Sequence, residues 1–106
     1  MTMRRRTALM LPFAFAAPPA EAAGTAIGID NFVFTPDQIT VPRGTTVVWT
    51  NHDDIPHSVV DAARPPGFKS PVLDTDEAFT RQFDTPGHHD YFCSLHPHMK
   101  GVVIVT

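Results

Sequence analysis

The chain has a single cysteine, a single tryptophan and a single tyrosine among its 106 residues. One thiol excludes any disulfide within the chain, the staple that small exported domains normally rely on. Basic residues are scarce, 8 Lys and Arg against 11 Asp and Glu, which excludes nucleic acid and other polyanions as expected partners. No window keeps a helical period for long, and no apolar run reaches the roughly 20 residues that a membrane-crossing helix needs. Internal repeats and interdomain linkers are missing as well. A small chain without disulfides, helices or repeats must hold its fold together by other means.

The first residues present have the composition of a leader. Arg4, Arg5 and Arg6 form a basic start, Ala8 to Ala17 an apolar run, and Ala20-Glu21-Ala22 the small residues that a signal peptidase reads. The expectation is a cleaved signal peptide over residues 1–22 and a single domain over residues 23–106, exported to the periplasm. "RRRTAL" is a weak twin-arginine signal, so the Sec route is expected. Without the leader's three Arg and one Glu the formal charge moves from −3 to −5, leaving an acidic domain of about 84 residues. A domain of this size buries a modest core and gains from a staple.

The rest reads as all-β. "AIGIDNFVF" (Ala26–Phe34) and "TTVVWTN" (Thr45–Asn51) are rich in β-branched and aromatic residues, with a short strand, Gln38–Val41, between Pro36, Pro42 and Gly44. His57–Asp61 is a further short run, and "AFTRQF" (Ala78–Phe83) alternates apolar with polar residues. "HHDYFC" and "GVVIVT" follow the turn residues Thr85 to Gly87. "SPVLDTDEA" holds at most one helical turn, and "AARPPGFKS" (Ala62–Ser70) is a Pro/Gly loop. Seven or eight short strands with closely spaced turns predict a β-sandwich or barrel. Trp49 and Phe32, Phe34, Phe79, Phe83 and Phe92 are expected in its core.

Chemistry concentrates in "YFCSLHPHMKG", where Cys93, His96 and Met99 are spaced C-x-x-H-x-x-M. A tight loop leaving a strand can turn all three side chains inward. The best fourth donor is His57, which follows Pro56 at the head of an apolar run. One thiolate, two imidazoles and a thioether form a soft, mixed donor set that suits copper in a trigonal site with a weak axial Met. Zinc normally takes His, Cys, carboxylate or water as its fourth ligand rather than a thioether. Ser58 and Ser94, each next to an expected ligand, are placed to strap the two ligand segments together. His98 competes with His96 for the ligand role. Because it directly precedes Met99 it is expected to be a surface bystander, and His52, His88 and His89 are expected to be solvent-exposed or hydrogen-bonded.

"PHSV" and "YFCSLHPHMKGVVIV", together with "FTPDQITVPRGTTVVWTN", resemble the cupredoxins, the small blue copper proteins. The short ligand loop is most similar to the amicyanin, pseudoazurin and plastocyanin group, and the likeness runs from about Ile27 to Val105. The resemblance implies a Greek-key β-sandwich and one type 1 copper held by His57, Cys93, His96 and Met99. It implies an electron carrier rather than an enzyme, monomeric and without membrane insertion after cleavage. Larger redox proteins (a dehydrogenase, cytochrome or reductase) would dock transiently around the edge of His96. Leu95 and Pro97 fit that docking patch, with Phe68, Pro65 and Pro66 as contributors from a facing loop. One departure stands out: Ser58 occupies a position where this family often has Asn.

Two other functions compete with this reading. Cys93 with a neighbouring His could form a nucleophile and base, but that leaves Met99 without a role and supplies no oxyanion donors. A copper chaperone or storage protein typically uses exposed Met-rich or multi-Cys sites. Outside the leader this chain retains only Met99.

Overall fold

A computed structural model describes residues 25–106. The expected leader, residues 1–22, lies outside the described residues. Eight strands follow in order: β1 (Thr25–Asp30), β2 (Val33–Thr35), β3 (Gln38–Val41), β4 (Thr45–Asn51), β5 (Val60–Asp61), β6 (Ala78–Phe83), β7 (Gly87–Phe92) and β8 (Lys100–Val105). They form two four-stranded sheets, ordered β2-β1-β4-β6 and β3-β8-β7-β5, with parallel pairs β1–β4 and β3–β8 and antiparallel pairs elsewhere. Successive strands after the β1–β2 hairpin switch sheets repeatedly, giving the expected Greek-key sandwich.

The core follows from strand alternation. Along β4, Thr45, Val47, Trp49 and Asn51 are buried while the residues between them are partly exposed. Trp49 lies beside Ile27 of β1 and Phe79 of β6 and meets Tyr91, Phe68 and Phe83 at ring-centroid distances of 5.3, 6.2 and 6.2 Å. Burying an aromatic side chain of this size contributes about 4–6 kcal/mol before entropy is counted. Gly101 sits opposite Tyr91 on β8, where any Cβ would collide with the phenol ring.

Three details differ from the sequence-based expectations. The run Ala26–Phe34 is a hairpin, with Asn31 and Phe32 at its turn in left-handed backbone conformations (φ 52° and 63°). This turn takes Phe32 out of the core and leaves it 41% exposed. Phe92 is half-buried, because an inward Cys93 forces Tyr91 inward and Phe92 to the opposite face. Of the run His57–Asp61 only Val60 and Asp61 form a strand, while His57 makes an isolated bridge to Leu73.

Candidate metal centre

The loop between β7 and β8 owes its shape to three backbone hydrogen bonds. His96 N–H donates to Cys93 O (3.2 Å), Met99 N–H to His96 O (2.8 Å), and Cys93 N–H to Met99 O (3.1 Å). Two consecutive turns of the same span are thus closed at their base. Residues at positions i, i+3 and i+6 of the loop are its fixed points, and these are Cys93, His96 and Met99. Cys93 and Met99 are buried and His96 is partly exposed.

His57 reaches the same place from the segment after β4. Its backbone exchanges hydrogen bonds with Leu73, His57 N–H to Leu73 O at 3.1 Å and Leu73 N–H to His57 O at 2.7 Å. Asn51 organises the approach. Its side-chain amide donates to Ile55 O and Leu73 O, both at 2.9 Å, and its oxygen accepts Asp53 N–H at 2.8 Å. A buried amide with three bonds leaves that loop little freedom.

The donor atoms converge. Cys93 Sγ lies 3.8 Å from His57 Nδ1 and 3.6 Å from His96 Nδ1, and the three ligand atoms all fall within 4.8 Å of one another. A metal bonded to sulfur at about 2.3 Å and to nitrogen at about 2.0 Å in a trigonal arrangement would separate the two donors by about 3.7 Å. The observed spacing is therefore that of ligands around one ion. Among the described residues no other three His, Cys, Asp or Glu side chains meet at such spacing. Zinc and copper both accept two imidazoles and a thiolate, but a Met as the remaining loop residue suits the softer metal.

Sulfur and imidazole are both held from behind. Ser58 N–H points at Cys93 Sγ (3.4 Å), and Ser58 Oγ lies 2.7 Å from Ser94 Oγ while accepting Ser94 N–H at 2.9 Å. The two serines thus join the His57 and Cys93 segments directly. On the far side of the His57 ring, Nε2 lies 2.9 Å from Asp53 Oδ2. A carboxylate can only accept, so Nε2 carries the proton and Nδ1 turns its lone pair toward Cys93. The hydrogen bond from His57 holds the Asp53 carboxyl below its ordinary value against the opposing effect of burial, with backbone N–H groups of Asp54 and Phe32 assisting.

Asp53 was not among the residues singled out from the sequence. Its only signal there is its place four residues before His57 in "NHDDIPH", and outside a helix that spacing predicts nothing. Phe32 was assigned to the core, yet its ring stands edge-on to His96 (centroids 4.9 Å apart, 88°) and to His57 (5.8 Å, 87°).

The remaining expected residues divide. Leu95 is 45% exposed and Pro97 is exposed beside His96. Phe68 is a correction: only 8% exposed, it packs among Trp49, Phe79 and Phe83 and offers nothing to a docking partner. A large aromatic ring in a Pro/Gly loop folds back onto the nearest apolar surface, and here that surface is the core. His98 is exposed, its ring 6.5 Å from that of His96. His89 bonds Thr85 O through Nε2, and His52 and His88 are exposed. Cys93, 0% exposed, is closed to substrates, which removes the geometric basis for a catalytic thiol.

Comparison with known proteins agrees with this geometry. The family model for the cupredoxin-like domain matches residues 5–105. The chain is a cupredoxin. It is 35% identical over 97 residues to amicyanin from Paracoccus versutus, covering 89% of this chain and 72% of that protein. Chloroplastic plastocyanin from Tetradesmus obliquus is 37% identical over 99 residues, covering 81% and 68%. Among solved structures, the cupredoxin fold here superposes on a purple cupredoxin from Nitrosopumilus maritimus with a TM-score of 0.72 (33% identity, 76% of this chain and 98% of that one). An amicyanin variant in its Cu(I) form gives a TM-score of 0.74 at 30% identity, covering 83% and 95%.

Proposed function

We propose that this cupredoxin is a type 1 copper electron carrier, with His57, Cys93, His96 and Met99 as ligands. The observation that carries the reading is the position of Cys93 Sγ, 3.8 and 3.6 Å from two imidazole nitrogens inside a buried, hydrogen-bonded cradle. Bound there, copper would supply one-electron chemistry between its Cu(II) and Cu(I) states.

The protein's own part is to keep its donors still in both states. Asn51 and the Leu73 bridge fix the His57 backbone, Asp53 fixes its ring, and the two closed turns fix the loop ligands. The Ser58 N–H directed at Cys93 Sγ supports negative charge on sulfur. His96 alone of the two imidazoles is partly exposed, so its edge is the exit toward a partner, with Leu95 and Pro97 as an apolar rim. Contacts of that size are weak, which turnover requires. The acidic balance of the chain favours basic partner surfaces and association that slows with added salt. A dehydrogenase, cytochrome or reductase would be the partner class, and the leader over residues 1–22 would place the monomeric domain in the periplasm.

The test is reconstitution with Cu(II). An intense blue or purple thiolate-to-copper band, reversibly bleached by a one-electron reductant and abolished in Cys93→Ser, is the expected result. A colourless protein that retains zinc and rejects copper would overturn the reading.

A further inference from the structure

The β1–β2 turn breaks two local rules at one residue. Asp30 pairs with Val33, and Asn31 and Phe32 between them both have positive φ, the geometry of a two-residue turn whose second position is normally Gly. A bulky side chain in the left-handed region is strained. The same side chain is 41% exposed, so the strain is not offset by core burial. What the ring does touch is the pair of imidazoles, at centroid distances of 4.9 Å to His96 and 5.8 Å to His57.

The two histidines are not held alike. His57 has Asp53 on its far nitrogen, whereas among the described residues no hydrogen-bond partner reaches Nε2 of His96. His96 is also the more exposed of the two and sits on a loop. On its outward side, packing rather than a hydrogen bond must limit rotation of the ring about Cβ–Cγ. Among the described residues, the only ring in edge-on contact with it from outside its own loop and the ligand set is Phe32.

We propose that Phe32 is the positioning residue for His96: a phenylalanine held in strained backbone so that its ring braces the exposed imidazole, keeping Nδ1 directed at Cys93 Sγ. The proposal rests on the copper reading of the site. In it, Asp53 and Phe32 perform the same task for the two imidazoles by different means, one by a charged hydrogen bond and the other by packing. Edge-to-face packing suits the exposed ring, because it leaves the outward nitrogen free at the surface.

Gly and Tyr at position 32 separate the brace from the turn. Phe32→Gly removes the ring but suits the backbone, so the melting temperature of the metal-free protein should equal or exceed that of the wild type. The same variant should release copper to a chelator about two- to ten-fold faster, the factor an aromatic edge contact is worth. Its Cu(II) spin-resonance spectrum and reduction potential should also shift. Phe32→Tyr, which keeps the ring edge, should restore all three. Wild-type release rate, spectrum and potential in Phe32→Gly would overturn the proposal. So would losses that merely track a fall in metal-free melting temperature, or a failure of Tyr to restore. A wild-type protein that takes up no copper would overturn the copper reading instead. In that event ring-to-ring nuclear Overhauser contacts between Phe32 and His96 in the metal-free protein still decide the brace: present, they support it; absent, they sink it.

Discussion

Asp53 Oδ2 and His57 Nε2 lie 2.9 Å apart, on the side of the imidazole away from Cys93. The carboxylate selects the tautomer and orients the ring. Asp53→Ala should weaken copper binding by about 10- to 100-fold, the usual cost of removing such a partner, measured by competition with a calibrated chelator. An unchanged affinity would show that Asn51 and the Leu73 bridge suffice. The lowered carboxyl pKa also has a stability consequence in the metal-free protein. The contribution of Asp53 is present above its ordinary value of 3.8 and is lost as pH falls through the lower folded value. Asp53→Asn should therefore flatten the acid end of the melting-temperature profile.

The two serines joining the ligand segments are not equivalent. Ser58 Oγ accepts Ser94 N–H and also meets Ser94 Oγ, whereas Ser94 contributes only its hydroxyl from the side chain. Ser58→Ala leaves a backbone N–H without its acceptor and should cost about 1–3 kcal/mol of stability. Ser94→Ala keeps that bond and should cost about 1 kcal/mol or less. Denaturant titration of the two variants checks the order. Equal losses would mean that the hydroxyl–hydroxyl contact carries the strap.

Tyr91 controls the alkaline end. Burial pushes its hydroxyl up to about 12 from 10, with the neighbouring Trp49 indole acting in the opposite direction. A raised folded pKa means that the contribution is complete below pH 10 and is lost as pH rises toward 12. The loss amounts to about 2–3 kcal/mol. Tyr91→Phe should remove this limb. Near neutral pH it should change stability little, since among the described residues the buried hydroxyl has no hydrogen-bond partner of good geometry.

The ligand loop makes its own prediction. His98→Ala should leave both colour and copper affinity unchanged, because the exposed ring lies outside the donor cluster. Met99→Leu should keep the colour and move the potential, as loss of a weakly bound thioether would. Loss of copper binding in His98→Ala would exchange the roles of His96 and His98.

What could be read from the sequence was local or periodic. Cys93, His96 and Met99 were legible because two turns of equal span leave a written spacing. His57 was legible as a Pro-His at the edge of an apolar run, and β4 and β8 as near-continuous β-formers. Asp53 was not, because its partner lies across a loop whose shape is set by Asn51 rather than by any repeat. Phe32 was misplaced for a related reason. Alternation continues through "IDNFVF" unless the chain turns, and this turn lacks the Gly that would announce it. Phe92 was misplaced by a one-residue error of phase, which in a strand exchanges inside for outside. Phe68 was read from the composition of its loop, whereas its destination is decided by the apolar surface of Trp49 and Phe83 beneath it.

The seclusion of Cys93 reaches beyond metal binding. A thiol with no accessible surface, in a chain with no second cysteine, has nothing to cross-link with until the loop opens. While the loop stays closed, the same burial shields the sulfur from dimerisation through a disulfide and from alkylation.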